Sequence, residues 1–170
     1  REEGRLGDRQ REALPAAQRA LELKPELVEA LANLGDAYAK LGRLEEALPL
    51  YQKALAMKPH SAELHNKLGF GHQRVGRRQD AMACFEEALR RKPDLAEAHL
   101  NRAIAWLLEG DFERGWAEYE WRWKKKDFAR RPFSRPRWDG SSFEGRTLVL
   151  HAEQGLGDTL QFIRYAARVK

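Results

Sequence analysis

The chain has 170 residues, 42% of them hydrophobic and 34% charged, with a net charge of +5, a length that holds one ordinary domain or slightly more. Its longest apolar run is the six residues from Ala103 to Leu108, far short of a membrane-spanning helix, and residues 1–20 lack the apolar core of a secretory signal. A single cysteine, Cys84, excludes an internal disulfide framework and a cysteine zinc site.

The first two-thirds of the chain is periodic. Pro25, Pro59 and Pro93 stand 34 residues apart, each preceded by lysine (Lys24, Lys58, Lys92). In the same register Ala20–Leu21 recurs as Ala54–Leu55 and Ala88–Leu89, Ala13 as Ala47 and Ala81, and Gly42 as Gly76 and Gly110. Residues 1–27 keep mainly a second helix near 9–24, full copies run over 28–61 and 62–95, and a degenerate copy occupies 96–129. The apolar spacing predicts helices near 28–41, 43–57, 62–75, 77–91, 96–109 and 111–125.

In the best copy Leu31, Leu34, Ala37, Tyr38 and Leu41 form a helical stripe, Gly42 breaks it, and Leu44, Ala47, Leu48, Tyr51, Ala54 and Leu55 restart it. Gly35 and Ala47 are small where two antiparallel helices must approach, and Tyr38 and Tyr51 fill the adjoining holes. Pro59 ends the second helix by pushing residue 58 out of the α region. Pro49 and Pro15, inside second helices, predict a mild kink or a late helix start.

Leu31, Leu34, Gly35, Tyr38, Gly42, Ala47, Tyr51, Ala54 and Pro59, matched in the next copy by His65, Leu68, Gly69, His72, Gly76, Ala81, Phe85, Ala88 and Pro93, resemble the tetratricopeptide repeat. The resemblance implies an all-α fold, a right-handed solenoid of helix–turn–helix units spanning residues 1–125, whose concave groove captures another polypeptide. First helices line that groove. Their sixth positions are Asn33, Lys67 and Asn101. By resemblance, the superhelix of O-linked N-acetylglucosamine transferases uses asparagines there to hold a partner's main chain, a task suited to an amide that both donates and accepts. Asn66, beside Lys67, and Asp36, Lys40, Phe70 and Arg74 complete the candidate partner-binding set, with Glu29, Glu63, Gln73 and Glu97 nearby. The alternative, that Asn33 and Asn101 are solvated helix residues, stays open. The cationic clamp of chaperone-binding repeats is not reproduced, which disfavours a C-terminal carboxylate as ligand.

His65 and His72 share a helix face and His99 follows His65 by one repeat, but these positions hold packed aromatics in the family and no carboxylate or cysteine accompanies them at ligand spacing. No metal or cofactor is expected, and Cys84 reads as a small packing residue.

The third copy departs from the pattern. It has Ala103, Gly115 and Arg122 at the eighth, twentieth and twenty-seventh positions, the last being a residue that a packed interior is not expected to accept. It also carries Trp106, Trp116, Trp121 and Trp123, too many for one hairpin to bury, so its far side reads as a docking surface. From Arg122 to Arg137 eight basic residues meet one acid, Asp127. Residues 126–146 read as a basic linker between domains. Its Phe128, Phe133 and Trp138 among arginines raise a second alternative, stacking of a single nucleic-acid strand over 122–138. No recognised nucleic-acid motif supports it, and nucleic acid is the weaker reading.

From Thr147 to His151 the residues are apolar and β-branched, predicting a buried strand; a Gly-rich turn with Gly155, Gly157 and Asp158 follows, then a helical stripe from Leu160. This strand–turn–helix fragment, 147–170, opens an α/β domain in which exposed backbone N–H groups receive a phosphate. The stretches GDFERGWAEYEWRW, PRWDG and GRTLVLHAEQGLGDTLQFIRYA resemble bacterial tetratricopeptide proteins that continue into a glycosyltransferase-like domain. By resemblance to heptosyltransferase-like enzymes, Asp158 is a candidate base, with Gly155 and Gly157 as cofactor-side candidates. The residues from Thr147 are too few to complete a two-lobed transferase, so no catalysis is expected of this chain, which reads as part of something longer.

Two functions compete: a cytoplasmic, bacterial interaction module for a protein or peptide, or the arm of a glycosyltransferase. A homodimer through 146–170, or fold-back of that segment onto Trp116, Trp121 and Trp123, is the expected fate of an unpaired strand.

Overall fold

The structure, a computed structural model, describes residues 27–125 continuously and, outside them, Pro15, Arg19, Leu21, Leu23, Trp138, Ser141, Gly145 and residues 147–149. The chain divides into two compact units, residues 1–129 and 130–170.

In the first unit Pro15, Arg19, Leu21 and Leu23 are helical, inside the second-helix remnant expected near 9–24. From Leu27 onward the elements are α1 (Val28–Lys40), α2 (Leu44–Met57), α3 (Ala62–Arg74), α4 (Arg78–Arg91), α5 (Ala96–Glu109), α6 (Phe112–Tyr119) and a closing 3₁₀ turn, η1 (Glu120–Lys124). Consecutive helices pair as hairpins, α1 with α2, α3 with α4 and α5 with α6, and each hairpin stacks on the next through α2–α3 and α4–α5. The unit is an all-α helical-repeat solenoid.

One turn, used three times, sets the hairpin. Gly42, Gly76 and Gly110 adopt φ of 76°, 81° and 84°, a region closed to most side chains and open to glycine. There the amide of Gly42 donates to Ala39 O (3.1 Å) and that of Arg43 to Tyr38 O (2.9 Å); Gly76, Arg77, Gly110 and Asp111 repeat both bonds. These satisfy carbonyls the helix end would otherwise leave without partners. Asp111 then caps α6 by accepting from Arg114 N, and Ser61 caps α3 by accepting from Leu64 N.

The core is a string of small clusters rather than one centre. Tyr51 lies on Gly35, where an added methyl would meet its ring at 2.6 Å, and Phe85 lies on Gly69, where the distance would be 2.7 Å. Leu48 of the first full repeat crosses to Gly71 of the next. Around these contacts Val28, Leu31, Ala32, Ala54 and Leu64 form one cluster, and Ala62, Ala88, Leu89, Leu95 and Ala98 another. The recurrent lysine before proline gains a role: Lys58 reaches Glu29 (2.6 Å) and Lys92 reaches Glu63 (2.9 Å), each tying the end of a hairpin to its own start.

Three expectations are corrected. First, α2 begins at Leu44, so of the two outcomes expected at Pro49 the late start does not occur; Pro49 is exposed, and the Glu45 carbonyl, which loses its amide donor to the proline ring, can turn to water. Second, the last helix does not run to 125. It gives way to η1 after Tyr119, near the position where Ala54 and Ala88 are fully buried and Arg122 stands. Third, that interior accepts Arg122, only 8% exposed. The tighter turn brings its guanidinium to 4.9 Å from the Tyr119 ring and 4.7 Å from the Trp123 ring, with bonds to Tyr119 O and Glu120. Cations also lie over the hairpin's other indoles: Arg102 and Arg114 over Trp106, Lys124 over Trp121. Trp116 stays 59% exposed.

In the second unit Trp138 Nε1 donates to Ser141 O (2.6 Å), and Gly145 takes φ 71°. Thr147, Leu148 and Val149 form no strand, and Val149 is 66% exposed. A β-branched run makes a strand only where a neighbour completes its ladder. His151, Gly155, Gly157, Asp158 and the helical stripe lie outside the described residues, as do residues 126–137 and the proposed contact of 146–170.

Candidate functional site

The first helices stand side by side, α1 touching α3 and α3 touching α5, so residues one repeat apart form rows across a shared face. The second-position row, Glu29, Glu63 and Glu97, is partly closed: Glu29 and Glu63 are held by Lys58 and Lys92, which lower both carboxyls below their ordinary range. At the sixth position Asn33 is exposed, Lys67 pairs with Asp36 of the preceding repeat, and Asn101 donates to Asn66 Oδ1 (2.9 Å). That bond leaves Asn101 Oδ1 and Asn66 Nδ2 for another partner. At the ninth position stand Asp36, Phe70 and Ile104; at the thirteenth, Lys40, Arg74 and Leu108. Arg74 lies 5.9 Å over the Phe70 ring, and Leu108 is 67% exposed.

The structure thus joins Asp36 to Lys67, Asn66 to Asn101, and Phe70 to Arg74, while Asn33 and Lys40 meet none of the other candidates. Asp36 is committed twice, because Tyr51 also donates its hydroxyl to it (2.8 Å). Burial first, and the Asp36 charge second, push the Tyr51 hydroxyl upward, so it stays a donor. Ile104 and Leu108, absent from the sequence-derived set, belong to this face; their signal was only the register.

The histidines serve the fold. His65 Nε2 bonds Pro59 O (3.1 Å) and His99 Nε2 bonds Pro93 O (2.7 Å), fastening the inter-repeat turn. Burial pushes the Cys84 thiol up to about 11, which removes the thiolate a nucleophile needs. Among the described residues no group of histidine, cysteine and carboxylate has metal-site geometry, and no helix is long and apolar enough to cross a membrane.

His72 has a testable consequence. It is buried, its Nδ1 has no hydrogen-bond partner, and burial holds its pKa below the ordinary 6.5, Asp80 opposing and Arg77 reinforcing the shift. The unfolded chain therefore binds the proton more readily. This contribution to stability is fully present above pH 6.5 and is lost as pH falls through that value toward the folded-state pKa. Thermal unfolding measured from neutral to mildly acidic pH should show a falling midpoint, and His72→Phe should flatten the fall. An unchanged slope in His72→Phe contradicts this assignment.

Stacked hairpins with a shared, polar first-helix face define a class: helical-repeat modules that bind proteins. Tetratricopeptide-repeat family models match residues 16–48, 35–76 and 67–120, together spanning more than half of the chain, and the chain belongs to the tetratricopeptide-repeat family. In structure it is similar to MamA (TM-score 0.57, 24% identity, 68% of this chain and 71% of that one). A MamA fragment from Desulfovibrio magneticus RS-1 gives a TM-score of 0.60 at 19% identity, covering 69% of this chain and 66% of that one. An O-GlcNAc transferase mutant from Thermobaculum terrenum gives 0.57 at 27% identity, over 62% of this chain and only 20% of that one. No curated relative matches the chain in sequence.

Proposed function

We propose that the face formed by α1, α3 and α5 holds an extended segment of a partner polypeptide, with Asn33, Asn66, Lys67 and Asn101 contacting its main chain and Lys40, Phe70 and Arg74 its side chains. Asp36 positions Lys67. The observation that carries this reading is the Asn66–Asn101 pair, whose remaining amide donor and acceptor match what a peptide unit presents. The test is a peptide selected from a random library against the immobilised chain. Changing Asn33, Lys67 and Asn101 together to alanine should weaken it about a hundredfold, near 1 kcal/mol for each lost bond, with helix content unchanged by circular dichroism. Undiminished affinity removes the reading.

The likeness to the Thermobaculum terrenum transferase and the GLGD stretch favour a second reading, in which the repeats serve a glycosyltransferase. A downstream reading frame continuing for roughly 200 α/β residues is its expected mark.

A further inference from the structure

The charges on this face say what the bound segment carries. Resting on the peptide-groove reading, we infer that the thirteenth-position edge of the face takes an acidic segment bearing one large apolar side chain, the carboxylates opposite Lys40 and Arg74 and the apolar group over Phe70, Ile104 and Leu108.

Most of the acids on the face are already engaged. Glu29 is held by Lys58, Glu63 by Lys92, and Asp36 by Lys67 and Tyr51. Glu97 is exposed, but it lies eleven residues from Leu108 on α5, about 16 Å along the helix axis at the ordinary rise. The charges of Lys58, Lys92 and Lys67 are balanced by those acids, which leaves Lys67 further N–H donors but no unbalanced charge. Lys40 and Arg74 pair with no carboxylate among the described residues, and both are exposed in one row. The third member of that row is Leu108, 67% exposed, and Ile104 lies one turn before it. Across from them Phe70 sits one turn beyond Asn66, its ring under the Arg74 guanidinium. An edge that runs cation, cation, apolar shelf is complementary to a segment that runs acid, acid, apolar.

Spacing follows from geometry. Packed helices lie about 8–10 Å apart, and a polyproline-II segment returns a side chain to the same side every three residues, about 9 Å on. The fitting pattern is therefore Asp-x-x-Asp-x-x-Leu, in either direction.

The experiment uses the full chain and fluorescein-labelled synthetic peptides read by anisotropy: the pattern above, a version with lysine for aspartate, and one with serine for leucine. The first should bind at least about tenfold more tightly than either other and weaken with added salt. Arg74→Glu, and separately Lys40→Glu, should each lower its affinity about tenfold. Both sites are exposed, and circular dichroism checks the fold. Equal binding of the lysine peptide, or indifference to both reversals, overturns the inference. If that lysine or serine peptide binds and then loses affinity in the triple alanine variant at Asn33, Lys67 and Asn101, the groove reading stands without it. If none of the three binds while a library-selected peptide does, this inference falls and the groove reading stands.

Discussion

Phe85→Ala should lower the free energy of unfolding by about 3–5 kcal/mol, the range for truncating a fully buried phenylalanine in a packed core. Phe85 is 0% exposed and packs with Ala81 and Ala105, the second of these on the following repeat. Its ring edge fills the place where Gly69 has no side chain. Gly69, Ala81 and Ala105 are too small to fill the void, and Met82, packed against the same cluster, can occupy only part of it. Each repeat is also stabilised mainly by its neighbours, so the loss reaches both hairpins. Urea unfolding followed by circular dichroism measures it; a midpoint unchanged from that of the parent chain would show that Phe85 is not the hairpin's anchor. Phe85→Tyr is a sharper comparison. Tyr51, one repeat earlier, has Asp36 to receive its hydroxyl. The residue equivalent to Asp36 facing Phe85 is Phe70, which accepts nothing, so the new hydroxyl would be buried without that acceptor and cost about 1–3 kcal/mol.

That pairing shows where a sequence alone speaks and where it stops. Helix number, the glycine turns and the proline ends are local requirements, imposed by φ, by a missing amide and by apolar spacing, and they repeat every 34 residues. Each copy therefore checks the others, and the observed helix starts and ends fall within a residue of the expected ones except in the last hairpin. The misses depend on which groups meet once the chain is folded. Arg122 looked incompatible with an interior because spacing does not say that its guanidinium lies over the Tyr119 and Trp123 rings and bonds to Tyr119 O and Glu120. Thr147–His151 looked like a strand, and its described part, Thr147–Val149, is not one: composition reports what a strand would contain, not whether another strand lies beside it. On the binding face the row positions were legible, but the bonds joining Asp36 to Lys67 and Asn66 to Asn101 were not. Spacing places those residues on adjacent helices without saying which of them spend their polar groups on each other.

Glu118→Ala is expected to destabilise the last hairpin by about 3 kcal/mol, the lower end for removing one member of a buried charged set. Glu118 on α6 is 9% exposed and receives Arg102 Nε (3.0 Å) and His99 Nδ1, both from α5. His99 is fixed from three sides: by Glu118, by the Pro93 carbonyl, and by Trp121, stacked at 3.6 Å with its plane within 9°. Arg102 in turn covers the face of Trp106 at 4.8 Å. Removing the carboxylate leaves a guanidinium in a site built to compensate it; its partial exposure, 21% of the side chain, lets water relieve some of the cost and sets the estimate low. The companion change separates charge from shape. Adding Arg102→Leu to Glu118→Leu replaces both members by apolar groups, and a buried pair exchanged in this way often costs little. The double variant should therefore be more stable than Glu118→Leu alone, with tryptophan emission closer to that of the parent chain because His99 and Trp121 stay stacked. Additive losses in the double variant would mean that Glu118 and Arg102 act separately, and that the aromatic stack, rather than this ion pair, holds α6 to α5.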